Sequence, residues 1–190
     1  MAEYLDIVDE NGIPTGQTAE REQAHAEGIR HRTSHVWLIR FREGKMQVLL
    51  QKRSDTKDSF PGCYDISSAG HIPAGVDFGP SALRELKEEL GVEAAEEELI
   101  FCMDRSSFRE SVFYGRPFRN REFNRVFALP CDREEGDFIL QREEISAVKW
   151  MNMQDAIRAA EEEPERYCIS LRELETVRQR METFSDKSSE

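Results

Sequence analysis

The chain has 190 residues but only four cysteines, Cys63, Cys102, Cys131 and Cys168, and no two of them form a Cys-x-x-Cys pair. That scatter argues against a zinc site or a disulfide framework and suits free thiols in a reducing compartment. Long apolar runs are missing too. No stretch approaches bilayer-spanning length and no apolar leader opens the chain, so a soluble, cytoplasmic protein is expected. Positive charge is in deficit. Lys+Arg 26 against Asp+Glu 38 leave a net charge of −12, which disfavours nonspecific binding to nucleic acid or to an anionic membrane. A small phosphate-bearing substrate stays compatible, provided that a cation and local basic side chains offset the field.

What is present reads as one α/β domain without internal repeats, spanning 1–184, followed by a polar tail at 185–190. A strand at 4–8 closes in a turn at Asn11-Gly12. Thr18 would cap a helix running to about Glu27. Strands at 34–41 and 46–53 form a hairpin through Glu43-Gly44. A short strand and a loop with Gly and Pro, Asp65 to Val76, feed a helix that Gly91 ends. A strand at 99–106, an Arg- and Phe-rich excursion at 107–119, and strands at 121–129 and 145–150 follow. A helix is expected from Asn152 to Glu163, and Pro164 would open the last helix, ending near Phe184. Helices on both sides of a mixed sheet are the expected architecture.

The stretch Arg84 to Val92 carries the most chemistry. On a helix, Glu85, Glu88 and Glu89 stand at i, i+3 and i+4, so three carboxylates share one face. They repel one another and add nothing to helix stability. Oxygen-only clusters of this density are what hard divalent cations require, with Mg²⁺ also holding waters and substrate phosphates. Leu83, Leu86 and Leu90 would dock the opposite face. The simpler alternative is a solvated acidic helix, common in a chain that is 34% charged.

Gly70 followed by Arg84-Glu85-Leu86-x-Glu88-Glu89-x-Gly91-Val92 resembles the Nudix box. The spacing from Gly70 to Arg84 matches, with one departure: the box's first Glu falls on Val76, beside Asp77. The resemblance implies a Nudix-type α/β/α sandwich with a mixed central sheet. It further implies Mg²⁺ or Mn²⁺ as cofactor, held by Glu85, Glu88 and Glu89, and hydrolysis of a phosphoanhydride bond in a nucleoside diphosphate derivative or related diphosphate compound.

A looser resemblance reaches the branch that includes isopentenyl-diphosphate isomerase. It is carried by Asp6 to Gly16, by Arg53, Lys57 and Pro61-Gly62, and by His25, His31 and His71, which fall where that isomerase has histidine metal ligands. Glu122 falls at its catalytic Glu, but Ala69 replaces its catalytic Cys and Asn120 a carboxylate ligand. A methyl group cannot carry a proton, so two-sided proton transfer loses one partner. Hydrolysis is therefore the favoured reading, the isomerase the alternative, and a non-catalytic diphosphate-binding module a third.

Roles follow from these resemblances. Arg84 would orient the glutamates. Arg53, Lys57, Gly70 and His71 would meet substrate, with an exposed basic turn as the simpler reading of the first two. Glu144 would be the general base, and Glu122 an additional metal ligand or alternate base; both could also be plain surface acids. The histidines read first as scaffolding hydrogen-bond partners and second as a separate metal site, with His35 structural and Trp37 in the core. Phe108, Phe113, Tyr114 and Phe118 could line a pocket that stacks a base, or belong to a protruding hairpin or a homodimer contact.

Overall fold

Strand β3 (His31–Arg42) is apolar on both faces through its middle, and this places it at the centre of the sheet. Alternation sends Val36 and Leu38 to one core and Trp37 and Ile39 to the other. The computed structural model describes residues 2–57, 59–113 and 115–187. The elements are β1 (Tyr4–Val8), β2 (Pro14–Glu20), α1 (Arg21–Glu27), β3, β4 (Lys45–Arg53), β5 (Tyr64–Asp65), β6 (Ser68–His71) and α2 (Phe78–Leu90). They continue as β7 (Ile100–Phe113), β8 (Arg116–Pro130), β9 (Ile145–Asn152), α3 (Met153–Glu162) and α4 (Leu171–Lys187).

The main sheet runs β5-β4-β3-β8-β7, with β6 also on β3 and β9 also on β4. The β3·β8 pair is parallel and the others are antiparallel, so the sheet is mixed as expected. Leu86 and Leu90 of α2 join Val36, Leu38, Leu49 and Phe127 in one core. Ala156 of α3 and Leu174, Val177 and Met181 of α4 join Trp37, Ile39, Val48 and Leu50 in the other. The result is an α/β/α sandwich. Among the described residues no helix is long and apolar enough to cross a membrane.

Several expectations need correction. Thr18 does not cap a helix. It pairs with Asp6 in the two-stranded β1·β2 sheet, and α1 starts only at Arg21, because the edge of β1 recruits residues 14–20 across the Gly12 turn. The excursion at 107–119 takes the hairpin form that the sequence allowed: β7 and β8 pair along the sheet from Ile100↔Ala128 to Phe113↔Arg116. Tyr114 lies outside the described residues. Pro164 does not open α4 either. Residues around Tyr167 extend beside β5, with Tyr64 N–H on Arg166 O at 2.8 Å and Cys168 N–H on Tyr64 O at 2.9 Å, and this pairing postpones the helix to Leu171. α4 then continues through Lys187, into the expected polar tail; 188–190 lie outside the described residues. The four cysteines are free and half-buried rather than fully buried.

Candidate active site

Strand β6, the loop after it and α2 place the acidic cluster. Leu86 and Leu90 are fully buried and Leu83 packs beside them, so the helix phase is set by the core and the glutamates face away from it. Gly91 ends the helix in the left-handed region (φ 65°), its N–H returning to Lys87 O at 3.1 Å. Gly70 on β6 lies directly under Glu85. Arg84 donates to Glu85 Oε1 at 2.5 Å and to the His71 carbonyl at 3.4 Å, so it holds a carboxylate and the end of β6 together.

The three carboxylates differ in environment. Glu88 is exposed. Glu85 is half-buried, and burial pushes its pKa up to about 7, with Arg84 opposing and Glu88 adding to the rise. Glu89 is only 6% exposed and its Oε2 is buried with no hydrogen-bond partner among the described residues. Glu89 is raised to about 8, chiefly by burial; the nearby Glu85 and Glu144 contribute to the rise and Lys57 opposes it. The Ser68 hydroxyl is close enough to temper the shift, yet no hydrogen bond of ordinary geometry joins the two.

Glu144 reaches this site on the turn before β9. That turn hangs on the Nudix-like helix through Gln141 N–H on Glu89 O at 3.0 Å, and on the end of β4 through Ser54 N–H on Glu144 O at 2.8 Å. The Glu144 carboxylate pairs with Lys57. Arg53 faces inward to its own loop: it donates to Asp65 Oδ2 at 2.9 Å and to the Ser59 carbonyl at 2.9 and 3.1 Å. Its guanidinium therefore shapes the loop carrying Lys57.

A second cluster adjoins the first at the end of β6. His25 from α1, His31 from β3 and His71 from β6 bring one ring nitrogen each to within 4.8 Å of the others. His25 Nε2 and His71 Nε2 are 3.2 Å apart, a scaffolding hydrogen bond as expected. His31 Nδ1 donates to the Ile29 carbonyl at 2.9 Å, and its Nε2 is buried without a hydrogen-bond partner among the described residues. Burial pushes His25 down to about 4, helped by His31 and Arg21, and holds His71 well below the usual imidazole range. Glu122 groups with these histidines. It lies opposite His31 across the parallel β3·β8 ladder and accepts from Asn120 at 2.7 Å and Asn124 at 2.9 Å. Burial alone would raise its pKa, but the charges of His35 and His31 and the two amides hold it below the ordinary value.

The NUDIX domain family model matches residues 30–171. This chain belongs to the Nudix family. Nudix hydrolase 3 of Arabidopsis thaliana is 44% identical over 155 residues, which cover 78% of this chain and 19% of that protein. A Nudix hydrolase of Clostridium acetobutylicum is 38% identical over 144 residues, covering 75% of this chain and 66% of the other. The chain thus spans about a fifth of the first relative's length and just under two thirds of the second's. A crystal structure from Deinococcus radiodurans aligns with TM-score 0.61 at 23% identity, covering 85% of this chain and 90% of that one, and shows the same fold.

Two buried polar residues behind the histidine and Glu122 group escaped the sequence reading. Glu173 on α4 is 1% exposed and accepts from His35 Nδ1 at 2.9 Å and Trp37 Nε1 at 2.8 Å, with Arg105 at 3.5 Å. Asn124 links this group to the site, donating to Thr33 Oγ1 at 2.6 Å as well as to Glu122. One sign was available: Glu173 stands beside the apolar positions Leu174, Val177 and Met181 of α4. His35 is indeed structural and Trp37 is core, as expected. Phe118 packs 5.0 Å from the His25 ring, and Phe113 packs on Phe60 at 4.9 Å, so the hairpin tip leans over the site.

Proposed function

We propose that this Nudix domain hydrolyses a phosphoanhydride bond in a nucleoside diphosphate derivative or a related small diphosphate compound, with Mg²⁺ or Mn²⁺ as cofactor. The carrying observation is the Glu89 carboxylate, buried near two other acids with one oxygen that has no hydrogen-bond partner among the described residues. A protein gains nothing from such a group alone. It suits a hard cation bound through oxygen, as the donor set Glu85, Glu88 and Glu89 would provide. When bound, the ion supplies charge neutralisation at nonbridging phosphate oxygens and lowers the pKa of a water.

The protein's own groups divide the remaining work. Arg84 keeps Glu85 turned to the cluster. Glu144 takes the proton from the attacking water, with Glu122 as the alternate base or a further ligand. Lys57 pairs with Glu144 in the free protein and exchanges that carboxylate for a phosphate oxygen when substrate arrives. Gly70 and His71 form the floor beneath the substrate, and Arg53 braces the loop that presents Lys57. The isomerase alternative lacks its second proton carrier, since Ala69 pairs with His35 inside the sheet.

One panel separates the readings. Pure protein is incubated with Mg²⁺ or Mn²⁺ and a set of diphosphate compounds that includes isopentenyl diphosphate. New phosphate ends that Glu89→Gln abolishes support hydrolysis. Migration of a double bond would replace it with isomerisation, and saturable binding of unchanged compounds would indicate a binding module.

The bare Nε2 of His31 favours a second reading for the neighbouring cluster. Three imidazoles converging within 4.8 Å suit a borderline ion such as Zn²⁺, in a site separate from the carboxylates. Metal analysis of dialysed protein tests this: His31→Ala should lose one bound ion per chain, and unchanged stoichiometry would refute the site.

A further inference from the structure

The Nudix box departs from its pattern at Val76, and the structure shows how the loop is held there without a glutamate. Val76 turns its side chain into the α2 core. Its backbone closes a turn, Val76 N–H on Pro73 O at 3.1 Å, with Gly75 at φ 79°. The turn is then gripped from outside by the N-terminal hairpin. Ala74 N–H donates to Tyr4 O at 2.9 Å, and Gly75 N–H donates to Asp6 Oδ2 at 2.9 Å. The same Asp6 oxygen accepts from Arg32 Nη2 at 2.8 Å, and that nitrogen also donates to the Val76 carbonyl at 2.9 Å. Arg32 is 5% exposed and lies 5.3 Å over the ring of Phe78, the first residue of α2. One carboxylate therefore fixes both the turn and the peptide that leads into the helix.

We infer that Asp6 is the positioning residue for the box carboxylates, supplying from outside the matched span 30–171 the acid that position 76 lacks. The helix is a rigid rod of 13 residues, so a change in its entry angle or phase displaces Glu85, Glu88 and Glu89 together. Asp6 acts through Arg32 and the backbone and touches none of the three. This inference rests on the proposed role of those glutamates in holding the ion. Residues that orient metal ligands typically contribute about 10–100-fold to metal affinity, which sets the size of the expected effect.

The test uses the full chain and Mg²⁺, a hard ion that oxygen donors hold in preference to imidazoles. Asp6→Asn keeps the shape and removes the charge. Arg32→Lys keeps the charge but loses the planar guanidinium that sets Nη2 between the Asp6 carboxylate and the Val76 carbonyl. Asp9→Asn is the control, because Asp9 caps the turn of the same hairpin, accepting from Asn11 and Ile13 N–H. Mg²⁺ affinity is read by calorimetry, and exchange of the Gly75 amide by NMR. Asp6→Asn and Arg32→Lys should each weaken Mg²⁺ binding by about tenfold or more, and Asp6→Asn should speed Gly75 exchange, with Asp9→Asn near wild type in both. Wild-type affinity in Asp6→Asn, or an equal loss in Asp9→Asn, would overturn the brace while leaving the metal reading intact. Wild-type protein that binds no Mg²⁺ would overturn both.

Discussion

Gly70 and Glu85 occupy one space: a Cβ on residue 70 would sit 2.2 Å from Glu85 Cδ and 2.6 Å from its Oε1. The backbone of β6 is thus the wall against which the first box carboxylate rests, and the missing side chain is what lets it rest there.

Gly70→Ala should leave the fold intact and remove the activity. The methyl group has to push Glu85 away from its Arg84 partner by more than an ångström, and misplacements of that size typically cost about 100-fold in rate. Metal-dependent turnover should fall by about that factor with a near-unchanged melting temperature. Turnover within about threefold of wild type would show that Glu85 is not held where it is needed.

Glu88→Gln and Glu89→Gln should each cut turnover by orders of magnitude while far-UV circular dichroism stays unchanged, because each removes a charged oxygen donor without changing shape. Near-normal Mg²⁺-dependent activity in both variants would take the cluster out of the mechanism.

In metal-free protein the stability should fall as pH rises. Glu85 and Glu89 have folded pKa values of about 7 and about 8 against an ordinary 4.5, so between these limits the folded chain holds protons that the unfolded chain has released. The unfolded state then binds fewer protons and unfolding becomes easier with each step in pH. Bound Mg²⁺ displaces those protons and restores the loss. Melting curves with and without chelator from pH 5 to 9 should therefore diverge as pH rises, and Glu89→Gln should flatten the metal-free curve. A gap that narrows with pH would contradict the burial of these acids.

Glu173→Ala should destabilise the protein by about 3–5 kcal/mol, since it strands His35, Trp37 and Arg105 around a buried gap. Burial alone would push His35 below its usual range, and the Glu173 charge and hydrogen bond lift it above. The same contacts hold Glu173 below the ordinary carboxylate value against its own burial. The Glu173 contribution is therefore lost as pH falls through its depressed folded pKa, and the His35 contribution as pH rises through its raised one. Urea unfolding at pH 6 measures the total; a cost under about 1 kcal/mol would mean that the helix carries no such anchor.

Local patterns made the β3–β4 hairpin, α2, β9 and α3 legible in the sequence. Alternating and three-to-four spacings act between neighbours, and Glu43-Gly44 is a turn by its own conformational preference (φ 51° and 71°). The failures came where a distant partner outvoted local preference. Thr18 is a good helix cap, yet pairing with Asp6 made it a strand residue. Residues 165–170 follow a helix-opening proline, yet a turn at 164–166 and the pairing of Tyr167 with Tyr64 kept them out of the helix. No neighbour of Asp6 or Glu173 in the chain announces the distant groups that they bind.

By itself the sequence determined one amphipathic helix, with three carboxylates gathered on one side and leucines on another, because a period of 3.6 residues is a property of contiguous chain. Tertiary structure alone decided that His25, His31 and His71 converge, that Asp6 meets Arg32 and the Gly75 amide, and that Glu173 meets His35 and Trp37. Those contacts depend on strand register and helix docking, which are settled only when the two cores close on either side of β3.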